Sequence, residues 1–257
     1  MIPLKRPITK CIFLLVWVSL LACQSNQGGG TERSGKESGQ MALADSLEQS
    51  LFKYILEPWY PLVIDTVNGG YHSNFAHDWS REENSGNRAL VQQARHIWAT
   101  SLIYENYPEK KEYLEYASQG FRFLKDQMWD PEYGGFFAYT TQEGTPVKNS
   151  IHEKKVYGQA FAVYGLSQYY RVSEDVEALE MAKKAFRWLE EHVHDQEHGG
   201  YFETLKRDGS PVREADPEGG PDAFLRAGIK DYNSSIHVME ALTELYRAWP
   251  DSLVRVR

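Results

Sequence analysis

The sequence has two cysteines, Cys11 and Cys23, both within its first 23 residues. Everything beyond them lacks disulfides, thiolate metal ligands and a thiol nucleophile. Basic residues are in deficit: 28 Lys and Arg stand against 36 Asp and Glu, a formal net charge of −8. Such a chain has no global basic face for a phosphate backbone, so no nucleic-acid partner is expected. The apolar run from Cys11 to Ala22 is too short for a membrane span and suits the h-region of an export signal.

What surrounds that run is informative. Lys5, Arg6 and Lys10 form a basic start, and Leu20-Leu21-Ala22-Cys23 resembles a bacterial lipobox. Residues 1–22 then read as a lipoprotein signal peptide, with Cys23 as the lipidated residue of an exported, membrane-anchored, periplasm-facing protein. An ordinary secretory signal carrying a chance cysteine would also export the chain. Residues 23–40 are Gly, Ser, Glu and Lys without periodicity, the composition of a flexible tether, and the folded part is expected over residues 41–257.

Aromatics are abundant, with 7 Trp, 16 Tyr and 11 Phe. They suit a large core, stacking against sugar rings, or both. The folded part also repeats. Asp65-Thr66-Val67-Asn68-Gly69-Gly70-Tyr71, Asp130-Pro131-Glu132-Tyr133-Gly134-Gly135-Phe136 and Asp195-Gln196-Glu197-His198-Gly199-Gly200-Tyr201 share D-x-x-x-G-G-aromatic at a constant spacing of 65. Upstream, Phe121-Arg122-Phe123-Leu124 matches Phe186-Arg187-Trp188-Leu189 in the same register.

Between these marks the periodicity is helical. Leu114, Ala117, Phe121 and Leu124, and likewise Ala178, Met181, Ala182, Ala185, Trp188 and Leu189, define amphipathic outer helices. Ala94 to Tyr107, Val156 to Tyr170 and Ile236 to Trp249 are apolar nearly all round and read as buried inner helices. After each Gly-Gly comes a short aromatic stretch with a turn, such as Gln142 to Pro146 or Arg207 to Pro211, expected to form a β-hairpin. The implied fold is all-α, a ring of helical pairs with hairpins at one mouth; an open solenoid is the alternative. In the third unit the loop Asp216 to Lys230 is lengthened, and long loops at a scaffold's mouth commonly carry function.

Polar residues near the inner-helix starts are the candidates for chemistry: Arg95 and His96, Tyr157 and Gln159, Asn233 and His237. Each has a structural reading as well, as a salt bridge for Arg95, a core aromatic for Tyr157, or an N-cap for Asn233. His237 lies on an apolar helix on the same face as Asn233. His192, His194 and His198 fall at an outer-helix end, and no metal site is expected there.

Three stretches carry a family likeness: Lys155-Val156-Tyr157-Gly158-Gln159-Ala160-Phe161-Ala162, Asn233-x-x-x-His237-Val238-Met239-Glu240-Ala241, and Arg95-His96-Ile97-Trp98. They resemble the N-acylglucosamine 2-epimerase family, and within it the cellobiose 2-epimerases, from about residue 45 onward. The resemblance implies an (α/α)6 barrel that epimerises or isomerises reducing-end sugars without metal or other cofactor, with a cellobiose-like disaccharide, mannose or N-acetylglucosamine as substrate. It implies that Arg95, Tyr157, Asn233 and His237 bind the open-chain sugar around C1 and C2. It also implies proton abstraction at C2 through an enediolate, with paired histidines as acid and base. Histidine suits both roles at neutral pH, and Arg95 would offset enediolate charge.

Two departures follow. Ser235 stands where the family often has another histidine, and the acid/base pair belongs to the barrel's second half, so His237 is given a supporting role. Residues 41–257 hold little more than three units of 65 where six would close a ring, so the chain is expected to be roughly the first half of the barrel and inactive alone. The alternatives are a glycoside hydrolase or lyase on a similar toroid, with Asp231 and Glu240 as the plausible acids, and a non-catalytic carbohydrate-binding surface lipoprotein.

Overall fold

A computed structural model describes residues 30–81, 86–147, 154–212 and 228–257. Cys23, the signal-like segment and most of the lengthened loop, residues 213–227, lie outside the described residues. The described residues divide into two compact units, one up to Pro61 and one from Leu62 onward.

In the first unit, α1 (Gly30–Leu51) runs into a π-helical turn, Phe52–Leu56, and the short α2 (Glu57–Trp59). Helix α1 extends back through Gly30–Gln40, the second part of the stretch whose composition reads as a tether. That stretch has no proline, and its Glu, Lys, Arg and Gln residues cost a helix little, while Gly35 and Gly39 are the positions that disfavour it.

The second unit is built from helical hairpins. Helices α3 (Leu90–Asn106), α5 (Val156–Ser173) and α7 (Tyr232–Ala248) form an inner layer in which α5 packs between the other two. Helix α4 (Glu112–Phe123) backs α3 and α6 (Val176–His192) backs α5, while α8 (Ser252–Arg255) follows α7. The outer helices bury one stripe, as the pattern requires: Ala117 and Phe121 on α4, and Ala178, Ala182, Ala185, Phe186 and Leu189 on α6. Each Phe so buried contributes roughly 1.5–3 kcal/mol. Gly165 lets α5 approach α3, since a Cβ there would lie 2.6 Å from the Ala94 carbonyl oxygen.

Helix α5 is buried nearly all round, as expected, whereas α7 exposes Tyr232, Met239 and Tyr246. Being apolar thus does not bury α7 on every side: α5 covers one face, and the stripe from Tyr232 to Tyr246 is open.

The expected hairpins form, and further strand pairs tie them to residues of the neighbouring unit. Strand β1 (Arg88–Ala89) pairs with β2 (Tyr139–Thr140), and β3 (Lys154–Lys155) pairs with β4 (Thr204–Leu205), both antiparallel. In the local hairpins Thr141 N–H donates to the Thr145 carbonyl (2.7 Å) and Val147 N–H to that of Tyr139 (3.1 Å), as Lys206 N–H does to Ser210 and Val212 N–H to Thr204, both at 2.9 Å. The strand pairs join each unit to the next. They also start the inner helices, because Leu90 N–H donates to the Ala138 carbonyl (3.0 Å) and Val156 N–H to that of Glu203 (3.1 Å).

The repeated aspartates have two tasks each. One oxygen of Asp65 accepts the N–H groups of Val67 and Asn68 at 2.9 Å, and the other takes Arg88 at 2.6 Å. Asp130 accepts from Glu132 (3.0 Å) and Tyr133 (3.2 Å), and binds Lys154 Nζ and Arg207 Nε, both at 3.0 Å. Asp195 accepts from Glu197 (3.0 Å) and His198 (3.1 Å) and pairs with Lys230 at 2.6 Å. In each unit the turn is thereby locked to a cation placed just before the following inner helix. Arg88 and Lys154 are fully buried, so truncating either partner would strand a charge in the core. Gly135, at φ +70°, is required on two grounds: its conformation is left-handed, and a Cβ would meet Trp188 at 2.8 Å.

Among the described residues, no helix is long and apolar enough to cross a membrane.

Candidate functional site

The three inner helices present equivalent positions to one mouth. Their second residues, Val91, Tyr157 and Asn233, all line a cleft of about 450 Å³, whose polar wall is completed by Lys155, Glu203 and Asp231. Their sixth residues, Arg95, Phe161 and His237, gather one turn deeper. Phe161 is the hub. The Arg95 guanidinium carbon lies 5.1 Å from its ring centroid, and the His237 ring is tilted against it at 4.5 Å. Tyr157 meets both Phe161 and His237 edge-on at 5.1 Å, so it belongs to cleft and cluster alike. Arg95 is exposed while Phe161 is buried, which puts a permanent positive charge on an aromatic floor.

His237 is held from its own helix. Its Nδ1 lies 2.7 Å from Glu240 Oε2, a carboxylate one turn on. A neutral ring donating through Nδ1 presents Nε2 as a lone-pair acceptor, and the carboxylate fixes that tautomer and the orientation of the ring. Below the cluster, Trp98 stacks on Tyr164 at 5.0 Å, and burial, with Glu244 and Glu240 nearby, pushes the Tyr164 hydroxyl up to about 12. The inner face thus runs from polar cleft through a charged aromatic cluster to an aromatic stack.

Five residues at these helix starts, the candidates Gln159 and His96 among them, have other tasks. The Gln159 amide is buried and bridges Phe136, accepting its N–H at 2.8 Å and donating to its carbonyl at 2.7 Å. Gln93 does the same for Tyr71, both bonds at 2.8 Å. These are the fourth positions of α5 and α3; the fourth position of α7 is Ser235, whose hydroxyl instead bonds the Asp231 carbonyl. His96 stacks on Tyr71 at 4.5 Å, and burial lowers its pKa to about 4, which keeps it neutral at ordinary pH. The N-cap of α7 is Asp231, accepting from Ser234 N–H at 3.2 Å, which leaves Asn233 to face the cleft.

The other histidines are dispersed. His192 stacks on Trp188, His194 packs on Tyr201, and His198 stands exposed beside Asp195. Among the described residues no group of three His, Cys, Asp or Glu side chains could hold a metal ion.

Glu203 was not a candidate from the sequence, although a signal for it exists. It falls 65 residues after Ala138 and 130 after Ser73, at a position of the repeat where the earlier units carry no charge. It is 2% exposed and borders the cleft.

Comparison with known proteins agrees with the likeness in these residues. The family model for N-acylglucosamine 2-epimerase (GlcNAc 2-epimerase) matches residues 69–219. A cellobiose 2-epimerase from Bacteroides fragilis is 31% identical over 218 residues, covering 82% of this chain and 51% of the relative. Among solved structures, the cellobiose 2-epimerase of Spirochaeta thermophila superposes with a TM-score of 0.72 at 33% identity, covering 84% of this chain and 51% of that one. That of Bacillus thermoamylovorans gives 0.73 at 29%, covering 84% and 53%. The chain spans about half the length of these relatives, and its helical pairs form part of the same α/α toroid. With its Gly-Gly turns, inner-helix pattern and fold all in agreement, the chain belongs to the N-acylglucosamine 2-epimerase family.

Proposed function

We propose that this chain forms the sugar-binding side of a carbohydrate 2-epimerase site, with a cellobiose-like disaccharide as the preferred ligand and mannose or N-acetylglucosamine as alternatives. One observation carries this reading. Arg95, Tyr157 and His237, from three separate helices, meet around Phe161, with Asn233 at the adjoining cleft. The Tyr157 hydroxyl and the Asn233 amide supply directional partners for sugar hydroxyls, while Phe161 offers an apolar face for ring carbons.

In the reaction, removal of the C2 proton leaves an enediolate whose negative charge spreads over the C1 and C2 oxygens. Return of a proton to the opposite face of C2 completes epimerisation, and delivery to C1 instead gives the ketose. Arg95 stabilises the enediolate by its fixed charge. His237, oriented by Glu240, hydrogen-bonds a sugar oxygen as a supporting group. The family resemblance assigns the acid/base histidines to the barrel's second half, so none of the four residues here is given the proton transfer at C2.

Titration calorimetry with cellobiose, mannose and N-acetylglucosamine, followed by NMR of each sugar in deuterated water, tests the reading. Binding that R95A abolishes supports it. Deuterium at C2 would assign proton transfer to this chain as well, and a cleaved glycosidic bond would replace epimerase with hydrolase. Failure of every reducing sugar to bind would overturn the proposal. The two acids a hydrolase would use are already engaged, Asp231 as a helix cap and Glu240 on His237.

We infer further that residues 1–22 are a signal peptide and 23–40 a linking segment, and that Cys23 carries a lipid anchoring an exported, periplasm-facing protein. The basic start, short apolar run and Leu-Leu-Ala-Cys junction support this. Labelled palmitate should enter the wild-type protein and not C23S; equal labelling of both would refute it.

A further inference from the structure

Helix α5 opens without a cap of its own. Its N-cap residue is Lys155, which offers no acceptor to the first turn. The missing acceptors come from across the strand pair. The Glu203 carbonyl takes Val156 N–H at 3.1 Å, and the Glu203 carboxylate takes Tyr157 N–H at 3.2 Å. The Glu203 N–H also donates to the Ile229 carbonyl (3.0 Å) just before α7, whose first turn holds its own Ser234 hydroxyl on Asp231 (3.2 Å). One residue therefore holds the start of α5 and the segment that leads into α7, between the two polar side chains that line the cleft.

The equivalent residue for α3 makes the contrast. Ala138 supplies its carbonyl to Leu90 N–H but has no side chain to reach the second residue, Val91. Val91 is the apolar member of the cleft trio, whereas Tyr157 and Asn233 are the polar ones. The added carboxylate occurs where polar groups must be aimed. Its burial is costly: desolvation raises the Glu203 pKa, opposed by Ser234, by the Tyr157 N–H and by Lys155, and reinforced by Asp231. The α5 N-terminus offsets part of that cost.

We propose that Glu203 is a positioning residue that caps α5 from outside the helix, with its own backbone held to Ile229 ahead of α7, and thereby fixes the orientation of Tyr157 relative to Asn233. This rests on the reading of those two residues as sugar contacts, but the first test does not need sugar.

Amide hydrogen exchange of the whole protein is followed at Tyr157 and, as an internal reference, at Ala162 in mid-helix α5, for wild type, Glu203→Ala and Glu203→Gln. Loss of a cap bond worth about 1.4 kcal/mol speeds exchange roughly tenfold. The expected result is at least that acceleration at Tyr157 in Glu203→Ala without a matching change at Ala162, and recovery to within about threefold in Glu203→Gln, whose amide oxygen still accepts. Equal acceleration at both amides would reduce Glu203 to general stability, and no acceleration would remove the cap; either overturns the proposal. Cellobiose affinity is then measured on the same proteins. A tenfold or greater loss in Glu203→Ala with rescue in Glu203→Gln supports positioning, and unchanged affinity in both overturns it. If wild type binds no sugar, the sugar reading falls while the exchange result still decides what Glu203 holds.

Discussion

The Gly-Gly turns and the inner-helix starts obey opposite rules. At the turns, three units repeat the same physics with interchangeable parts: an aspartate accepts two backbone N–H groups and a cation, whether Arg88, Lys154 or Lys230. At the helix starts the geometry repeats while the chemistry diverges. Second positions hold Val91, Tyr157 and Asn233, and sixth positions hold Arg95, Phe161 and His237. Repetition marks what holds the toroid together, and departures from it gather at the cleft where we propose a sugar binds. Glu203, set against Ala138 and Ser73, is such a departure on the hairpin side.

That contrast can be broken deliberately, and the largest effect is expected at the turns. R88M leaves Asp65 buried without its guanidinium and should destabilise the protein by about 3–5 kcal/mol, read as a fall in the urea midpoint. Q159A orphans the buried N–H and carbonyl of Phe136 and should cost roughly 1–3 kcal/mol, measured in the same way. Acid sharpens the comparison by acting on the turns together. Burial alone would raise Asp65 and Asp130, but their hydrogen bonds, from Asn68, Val67 and Arg88 in one case and Arg207 and Lys154 in the other, hold both below the ordinary value of 3.8. Their contribution is therefore complete above the unfolded carboxylate pKa and is lost as pH falls through the lowered folded values. Stability should decline below about pH 4, and the decline should be shallower in D130N. R95A should have the smallest effect on stability, within about 0.5 kcal/mol for an exposed side chain.

Much of this was legible in the sequence because it follows from period and turn chemistry. The 65-residue register and the helical stripes fix which helices are inner and outer, and they bring Arg95, Tyr157, Asn233 and His237 to one mouth. What stayed hidden depends on contacts between units. The two-residue strand pairs join residues some fifty positions apart, such as Arg88 and Thr140, and leave almost no alternating pattern to read. Gln159 looked like a site residue because position alone cannot tell an amide facing a cleft from one turned onto a neighbouring backbone. Asn233 looked like an N-cap because Asp231, two residues earlier, competes for that place and has the geometry to take it. The partners of Asp65, Asp130 and Asp195 were missed because the repeated position just before each inner helix alternates between Arg and Lys, and in the third unit the lengthened loop displaces it.

The most direct measurement is calorimetric titration of cellobiose into wild-type and R95A protein, with thermal melts of both. Arg95 as a ligand-facing departure from the repeat predicts at least a tenfold loss of affinity at an unchanged melting temperature. Equal affinity in the two proteins, or a loss that merely tracks unfolding, would contradict the assignment of the inner-helix starts to sugar recognition.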